Sequence, residues 1–554
     1  MIDYQKELNE EQYKVVAEGD GACLVLAGAG SGKTRTITYR VAYLLENGVP
    51  EDRILLLTFT NKAASEMMER LRELLSHQLP GLRGGTFHSV AARILRHYAD
   101  RIGYQQNFTI LDASDAEGIV SLAMRDEGVD LKSKLYPKAS LMLSIISFSR
   151  NAQLTIEDTI ELKFGGFARI ADTIARVAVR YETRKRESNV MDFDDLLINF
   201  LTLLETDAAV SIALSDQYQY VLVDEYQDTN TLQVKIVKLL AAVHGNVIAV
   251  GDDAQSIYSF RAANIANILQ FEKDYKNARI FRMETNYRSA PEILALANSV
   301  ISKNKAQHKK NLKAVCAATV KPHVVTLSST FEEAAYVADT IEDRHYNGLP
   351  YNGIAVLFRA AHHSQALEVE LMKRRIPYDY RGGLRFFDRA HVKDVLSYMK
   401  VLHNVHDVMA WQRILTMQGG IGAKTANKIL QALKHLTSST ELVAFELGDD
   451  MPERAHNGWR GIVTIISDMI NNSNSVGGII EAILRSGYRD YLTDHFDNAS
   501  DRVADIEQLQ TYASRSKDLS QFLTDTSLSE EYAKKSDKDR GDRVVLSTIH
   551  QAKG

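Results

Sequence analysis

The chain has 554 residues, 45% of them apolar and 25% charged, a soluble, globular composition too long for one core that predicts roughly three or four domains. Its 66 basic and 71 acidic residues give a net charge of −5 and a pI of about 6.4, which excludes a wholly basic binding surface but leaves room for a basic groove. An apolar run of about eighteen residues and an apolar leader are both missing, so no membrane span and no secretion are predicted, and two cysteines, Cys23 and Cys316, fit a reducing cytoplasm rather than a disulfide framework or a zinc site.

In chain order, the first informative segment is the apolar run Ala22–Leu26, followed by Ala27-Gly28-Ala29-Gly30-Ser31-Gly32-Lys33-Thr34 and a helical pattern over Thr36–Leu45. Strand, glycine-rich turn, lysine, hydroxyl and helix together make a grip for a nucleoside triphosphate. Glycines let successive backbone N–H groups turn inward, and the helix start adds partial positive charge. Lys33 reaches the β- and γ-phosphates, and the Thr34 hydroxyl holds Mg²⁺. Ala27 stands where the usual pattern has glycine, and its methyl is small enough for that first position.

Further strands are predicted at Ile54–Thr58, Tyr220–Val223, Val247–Val250 and Arg279–Met283, then at His323–Leu327, Ile354–Phe358 and Val544–Ser547. Apolar strands alternating with helices predict parallel sheets covered on both faces, here two α/β domains. Residues 93–189 and 381–540 read as helix only, with Ala116–Met124, Ile170–Arg186, Val392–Val405 and Ile479–Leu484 as examples. They are predicted to be helical insertions, and the charged run Glu531–Arg543 to be the return from the second.

The strand at Tyr220–Val223 ends in Asp224-Glu225, at the sheet edge where α/β folds bind ligands. Asp224 suits Mg²⁺ and Glu225 suits deprotonation of the attacking water. After the next strand, Gln255 is placed to sense the γ-phosphate. Tyr258 and Phe260 lie two apart, offering two rings on one side of an extended segment, either to stack nucleobases or to pack in a core. Arg288, after another strand, suits neutralisation of the transferred phosphoryl. The run Ile301–Ala314 carries Lys303, Lys305, Lys309, Lys310 and Lys313 without an acid, and reads equally as a nucleic-acid contact or a solvated helix end. A Gly419-Gly420-Ile421-Gly422 turn precedes a helical Ala426–Leu433; such a turn offers N–H groups to a duplex phosphate, or simply connects helices.

In order and spacing these segments resemble the UvrD/Rep/PcrA branch of superfamily 1 DNA helicases along the whole chain. The resemblance implies two RecA-like P-loop motor domains, each with a helical insertion: residues 1–92 and 190–284 with insertion 93–189, then 285–380 and 541–554 with insertion 381–540, which carries the helix-hairpin-helix-like turn. It implies ATP and Mg²⁺ as cofactors, bound in the cleft between the motors, and 3′→5′ movement on single-stranded DNA, with single-strand/duplex junctions and repair or replication proteins as partners. Gln12, in Leu8-Asn9-Glu10-Glu11-Gln12, reads adenine and Tyr287 stacks on it, with Arg35 a nucleotide contact. DNA contacts are implied at Phe59, Asn61, Thr86, His88, Tyr258, Phe260, Arg359, Thr548 and His550, and at Gly420 and Gly422. Members of the family continue past Lys553-Gly554 with a ribose-contacting glutamate, further strands and a second catalytic arginine. The resemblance therefore implies an incomplete second motor domain, with an ATP- and DNA-binding fragment of little turnover as the alternative.

Overall fold

The structure, a computed structural model, describes residues 2–76, 78–111, 113–131, 133, 135–381, 386–436, 438–448, 451–496, 498–514, 516, 518–520, 522–523, 526 and 541–553. They pack as two compact units, 1–324 and 325–554.

In the first unit the strands are β1 Ala22–Ala27, β2 Ile54–Thr58, β3 Arg83–Thr86, β4 Thr109–Ile110, β5 Val190–Met191, β6 Tyr220–Val223, β7 Val247–Gly251, β8 Arg279–Met283, β9 Thr285–Asn286 and β10 Lys313–Ala314. Six form one sheet in the order β3-β2-β6-β7-β1-β8, every pair parallel. Alternate residues serve opposite faces, as the two-residue period of a strand dictates. Leu55, Leu57, Val221 and Val223 pack on one side, and Ile54, Leu56, Leu222 and Val250 on the other. Every residue of β2 and β7 is buried. Because β6, β7 and β1 are neighbours, their carboxyl ends bring three loops to one edge.

The sequence expectation missed β3. Its Arg83-Gly84-Gly85-Thr86 lacks the apolar run of a central strand, and it sits at the sheet edge, paired only with β2. Glycine there weakens the strand pattern. The first insertion is not helix alone, a second correction. Helices Ala113–Asp126, Ala139–Ala152, Ile156–Lys163 and Ala171–Glu187 surround a core including Val120, Met142, Ile145 and Ile174, but β4 and β5 form a two-residue parallel ladder at its neck.

Buried charge ties this neck down. Lys185 Nζ lies 2.6 Å from both Asp192 and Asp195 with its side chain fully buried, and Arg150 reaches Asp195 and, at 2.9 Å, Glu182. Asp192 caps the helix Phe193–Thr206 through a reciprocal bond with Asp195. Asp192 and Asp195 thus each have both a cation and an N–H donor, which makes burial of such charge tolerable.

In the second unit β11 Ala355–Phe358, β12 Tyr378–Arg381 and β13 Val544–Thr548 form a parallel sheet in the order β11-β13-β12. The expected strand at His323–Leu327 is absent: these residues carry no strand assignment, and Val324 is 92% exposed. A β-branched run becomes a strand only where a neighbour supplies ladder bonds. Conversely β12, Tyr-Asp-Tyr-Arg, is too polar to announce itself. Residues 285–324, expected with the second motor, group with the first unit. The helical block, from Ala390–His403 to Ala499–Ala513, encloses Trp411, Trp459, Ile466, Ile480 and Leu509. Residues 531–540 of the expected return segment lie outside the described residues.

Asp505 joins this block to the helix Gln365–Lys373. Its carboxylate accepts from Gln365, from Arg389 at 2.8 Å and from His391 Nε2 at 2.7 Å. Burial alone pushes the carboxyl up, but the His391 bond and the Arg389 charge outweigh it and hold the pKa below the usual carboxylate value. A carboxyl depressed on folding stabilises above its unfolded pKa of about 3.9, and that contribution disappears as pH falls through the folded value. Thermal melts should therefore drop between about pH 5 and 3, and Asp505→Asn should flatten that drop; equal slopes in both proteins would rule the carboxylate out as its source.

Candidate functional site

The helix Lys33–Glu46 starts from Gly32, whose φ of 86° lies in the left-handed region. Gly30, at φ 67°, shares it. Both also have no room for a side chain. A Cβ at Gly32 would lie 2.6 Å from Gln12 Nε2, and one at Gly30 would lie 2.7 Å from Asn286 Nδ2. The glycine loop is thus gripped from two sides. Gln12, buried, donates from Nε2 to the Ser31 carbonyl at 3.0 Å and accepts the Asn9 N–H through Oε1. Asn286 donates to the Ala29 carbonyl and accepts the N–H groups of Arg288 and Ser289 at 2.9 and 2.7 Å. The backbone bearing Arg288 is thereby fixed to the loop, reinforced by Tyr287 N–H donating to Gly30 O at 3.0 Å.

Lys33 Nζ lies 3.1 Å from Glu225 Oε1 and donates to Gln255 Oε1 at 3.3 Å. From those two residues a ring closes. Gln227 donates to the second Glu225 oxygen and, through its own carbonyl, accepts the Asp252 N–H at 2.8 Å; Gln255 Nε2 donates to Asp252 Oδ2 at 2.7 Å. Glu225 adopts φ 51°, rare for a residue with a side chain, and such strain persists only where neighbours impose it. Burial first, then the Glu225 charge, push the Asp224 carboxyl up to about 7 against the pull of Lys33. Two acids share one ammonium there, so a cation placed beside Asp224 would restore its charge.

Beyond Gln255 the segment reaches a second feature. Tyr258 stacks on Phe59 with centroids 5.3 Å apart, and Phe260 leans on Tyr258 at 6.0 Å. The segment is not extended as expected: Ser259–Arg261 forms a 3-10 turn, so Tyr258 is buried while Phe260 is 48% exposed. A cavity of about 610 Å³ opens here, lined by Phe59, Thr86, His88, Tyr258 and Phe260 together with Phe148, Lys163, Asn151 and Asp194. Thr86 caps the helix Phe87–Tyr98, and burial lowers the pKa of His88, whose ring meets Phe193 edge-on.

Family models agree with this architecture. The "UvrD/REP helicase N-terminal domain" matches residues 8–276 and the "UvrD-like helicase C-terminal domain" residues 281–446. A relative in Staphylococcus aureus, "ATP-dependent DNA helicase PcrA", is 35% identical over 99% of this chain and 76% of its own length. Its namesake in Staphylococcus epidermidis is 36% identical with the same coverage. The chain belongs to the UvrD/REP helicase family.

Other residues singled out in this UvrD/REP-family chain fall as follows. Arg35 bonds Glu7 and lies over the Tyr39 ring, and the half-exposed Tyr287 accepts from Asn9 at 2.7 Å. In the second unit Arg359 comes within 3.5 Å of His550 Nδ1, while Thr548 caps the helix Ile549–Ala552. Gly422 is the N-cap of the helix Ala423–Ala432, and Gly420, at φ 88°, lies where a Cβ would strike Arg454. The Asn61 side chain lies outside the described residues.

Sequence reasoning missed several residues. Lys163 sits 4.3 Å above the Phe148 ring and donates to Phe260 O at 3.3 Å. Asn151 links Asp194 to Asn230 at 2.7 and 2.9 Å. These come from helices without a recognisable motif. Lys310, in the basic run that reads equally as a nucleic-acid contact or a solvated helix end, has its side chain buried beside Asp252 and Asp253. Gly32→Ala, combining a left-handed methyl with displacement of Gln12, should cost about 1–2 kcal/mol or more; unchanged urea unfolding would contradict the grip described.

Proposed function

We propose that this chain is an ATP-dependent DNA helicase and translocase that moves 3′→5′ along single-stranded DNA, acts at single-strand/duplex junctions, and serves DNA repair or replication in the cytoplasm. One observation carries the reading. A single segment, residues 252–260, has Gln255 bonded to Lys33 at one end and Tyr258 stacked on Phe59 at the other. Any shift of Gln255 on ATP binding and hydrolysis therefore reaches the aromatic cavity through a few residues of backbone. Among the described residues no single helix is long and apolar enough to cross a membrane.

Residues 27–32 offer backbone N–H groups to the phosphates, and Lys33 leaves Glu225 for the β- and γ-phosphates. Thr34 and Asp224 would hold Mg²⁺, a cation that would favour the charged form of Asp224 against the burial that raises its pKa. That ion, once bound, neutralises phosphate charge. Glu225, released from Lys33, takes the proton of the attacking water. Gln255 senses the γ-phosphate and Arg288 offsets charge on the transferred group. Gln12, Tyr287 and Arg35 form the base side of the nucleotide site. DNA bases stack on Phe59, Tyr258 and Phe260, at about 1–3 kcal/mol each, and Thr86, His88 and Asn61 flank them. In the second unit Arg359, Thr548 and His550 meet the strand, and Gly420 and Gly422 turn N–H groups toward duplex phosphate.

Lys33→Ala should lower DNA-stimulated ATP hydrolysis by about 10²–10³-fold while oligo-dT binding stays within threefold; wild-type turnover in that variant would refute the phosphate grip. Chelation with EDTA should abolish hydrolysis and excess Mg²⁺ restore it. Unwinding should require a 3′ single-stranded tail, and equal rates on 5′-tailed duplexes would overturn the direction.

A further inference from the structure

Lys310 is the one lysine of its basic run whose side chain turns inward. Lys303, Lys305, Lys309 and Lys313 are exposed, whereas the Lys310 side chain is 4% exposed, with Nζ against Asp252 Oδ1 and 2.6 Å from Asp253 Oδ1. Removing three charges from water costs several kcal/mol per ion, and such clusters contribute little net stability. What they fix is geometry.

The two oxygens of Asp252 face different partners. Oδ1 meets Lys310, and Oδ2 accepts from Gln255 Nε2 at 2.7 Å. Lys310 itself is anchored by its own backbone neighbourhood. The His308 N–H donates to Asp253 Oδ2 at 3.3 Å, and the His308 ring lies 3.2 Å from Ile268 O. Three residues further on, β10 pairs with β9 in the register Ala314↔Asn286, and Asn286 holds the Arg288 N–H. Lys310 therefore spans the glutamine-bearing loop and the ladder that carries Arg288.

We propose that Lys310 is a positioning residue for ATP turnover, a strut that holds Asp252 so that Gln255 keeps its aim when Lys33 leaves for the triphosphate. This rests on the helicase reading given above. With Lys33 gone, Gln255 loses one of the two bonds described here, and the bond to Asp252 still orients its carboxamide. Without the Lys310 ammonium, the adjacent carboxylates of Asp252 and Asp253 repel, and Asp252 swings off Gln255. A displacement of about 1 Å at a reacting centre costs on the order of a hundredfold in rate.

The test is steady-state hydrolysis by the full chain with saturating oligo-dT, for the unsubstituted protein, Lys310→Met, Gln255→Ala and the double variant. Lys310→Met should lose roughly 10–100-fold in kcat, with KM for ATP and oligo-dT affinity each within threefold. The double variant should turn over within twofold of Gln255→Ala alone, because Lys310 acts through Gln255. A merely structural lysine would lower the melting temperature and leave kcat of the folded protein unchanged. That result overturns the proposal, as do losses that multiply in the double variant. Should Lys310→Met fail to fold, Lys310→Gln, which keeps an N–H donor without the charge, is read by the same criteria. Absence of turnover in the unsubstituted chain would instead overturn the helicase reading, and the positioning role with it.

Discussion

Lys33 and Glu225 face each other at 3.1 Å across the edge of the first sheet, and the arrangement of that edge depends on them. One ammonium stands among the buried Asp224, the partly buried Glu225 and Gln255, too little positive charge for two acids. Burial first and the Glu225 charge second raise the Asp224 pKa, and Gln227 splits its amide between Glu225 and the Asp252 N–H. These bonds also explain how a left-handed Glu225 is tolerated: its backbone conformation costs energy, and the lysine and glutamine bonds hold the carboxylate where that conformation puts it. On the reading proposed above, Lys33 would exchange Glu225 for a polyphosphate, and a metal ion beside Asp224 would supply the positive charge that these acids lack.

Chain connectivity ties the sheet edge to the aromatic cavity. Gln255 and Tyr258 are three residues apart, and the backbone between them is flanked by short turns and is not part of a helix or strand. A rigid element would average a small displacement over many bonds. A turn pinned at Asp252 and at the Phe59 ring has few dihedrals to absorb it. The same logic accounts for the polar chain behind the cavity, where Asn230, Asn151 and Asp194 join the segment after Glu225 to the first insertion. Both loops leaving the nucleotide edge thus arrive at one aromatic chamber.

Much of this was legible in the residues. The glycine loop, the paired acids, Gln255 and Arg288 belong to motifs in which spacing and residue type are set by phosphate chemistry, and local sequence carries them. The central strands declared themselves as unbroken apolar runs because both faces are covered. What was not legible depends on partners distant in sequence. β3 and β12 are edge or polar strands defined by the neighbour that pairs with them. His323–Leu327 has strand propensity and no neighbour. Lys163, Asn151 and Asp194 line the cavity from helices whose pattern encodes only their own packing. Lys310 sits in a run whose other lysines are solvated, and only Asp252 and Asp253, more than fifty positions earlier, draw it inward. The turn at Ser259–Arg261 rotates Tyr258 and Phe260 out of the common face that a two-residue spacing suggested.

The charge distribution bears on how a strand would be held. Among the described residues lining the cavity, Lys163 is the one lysine or arginine, against the acids Asp194 and Asp228. Its ammonium is already spent on the Phe148 ring and the Phe260 carbonyl. Burial, then the charge of Asp192, push the Asp194 carboxyl up. A chamber of this kind attracts base faces more than backbone phosphates. Stacking energy is insensitive to base identity and weakly dependent on salt, whereas phosphate neutralisation falls steeply as salt rises. An overall charge of −5 therefore does not conflict with a nucleic-acid partner. On the reading proposed above, a grip that rests on π-faces in the first unit would suit a motor that must release every base it holds.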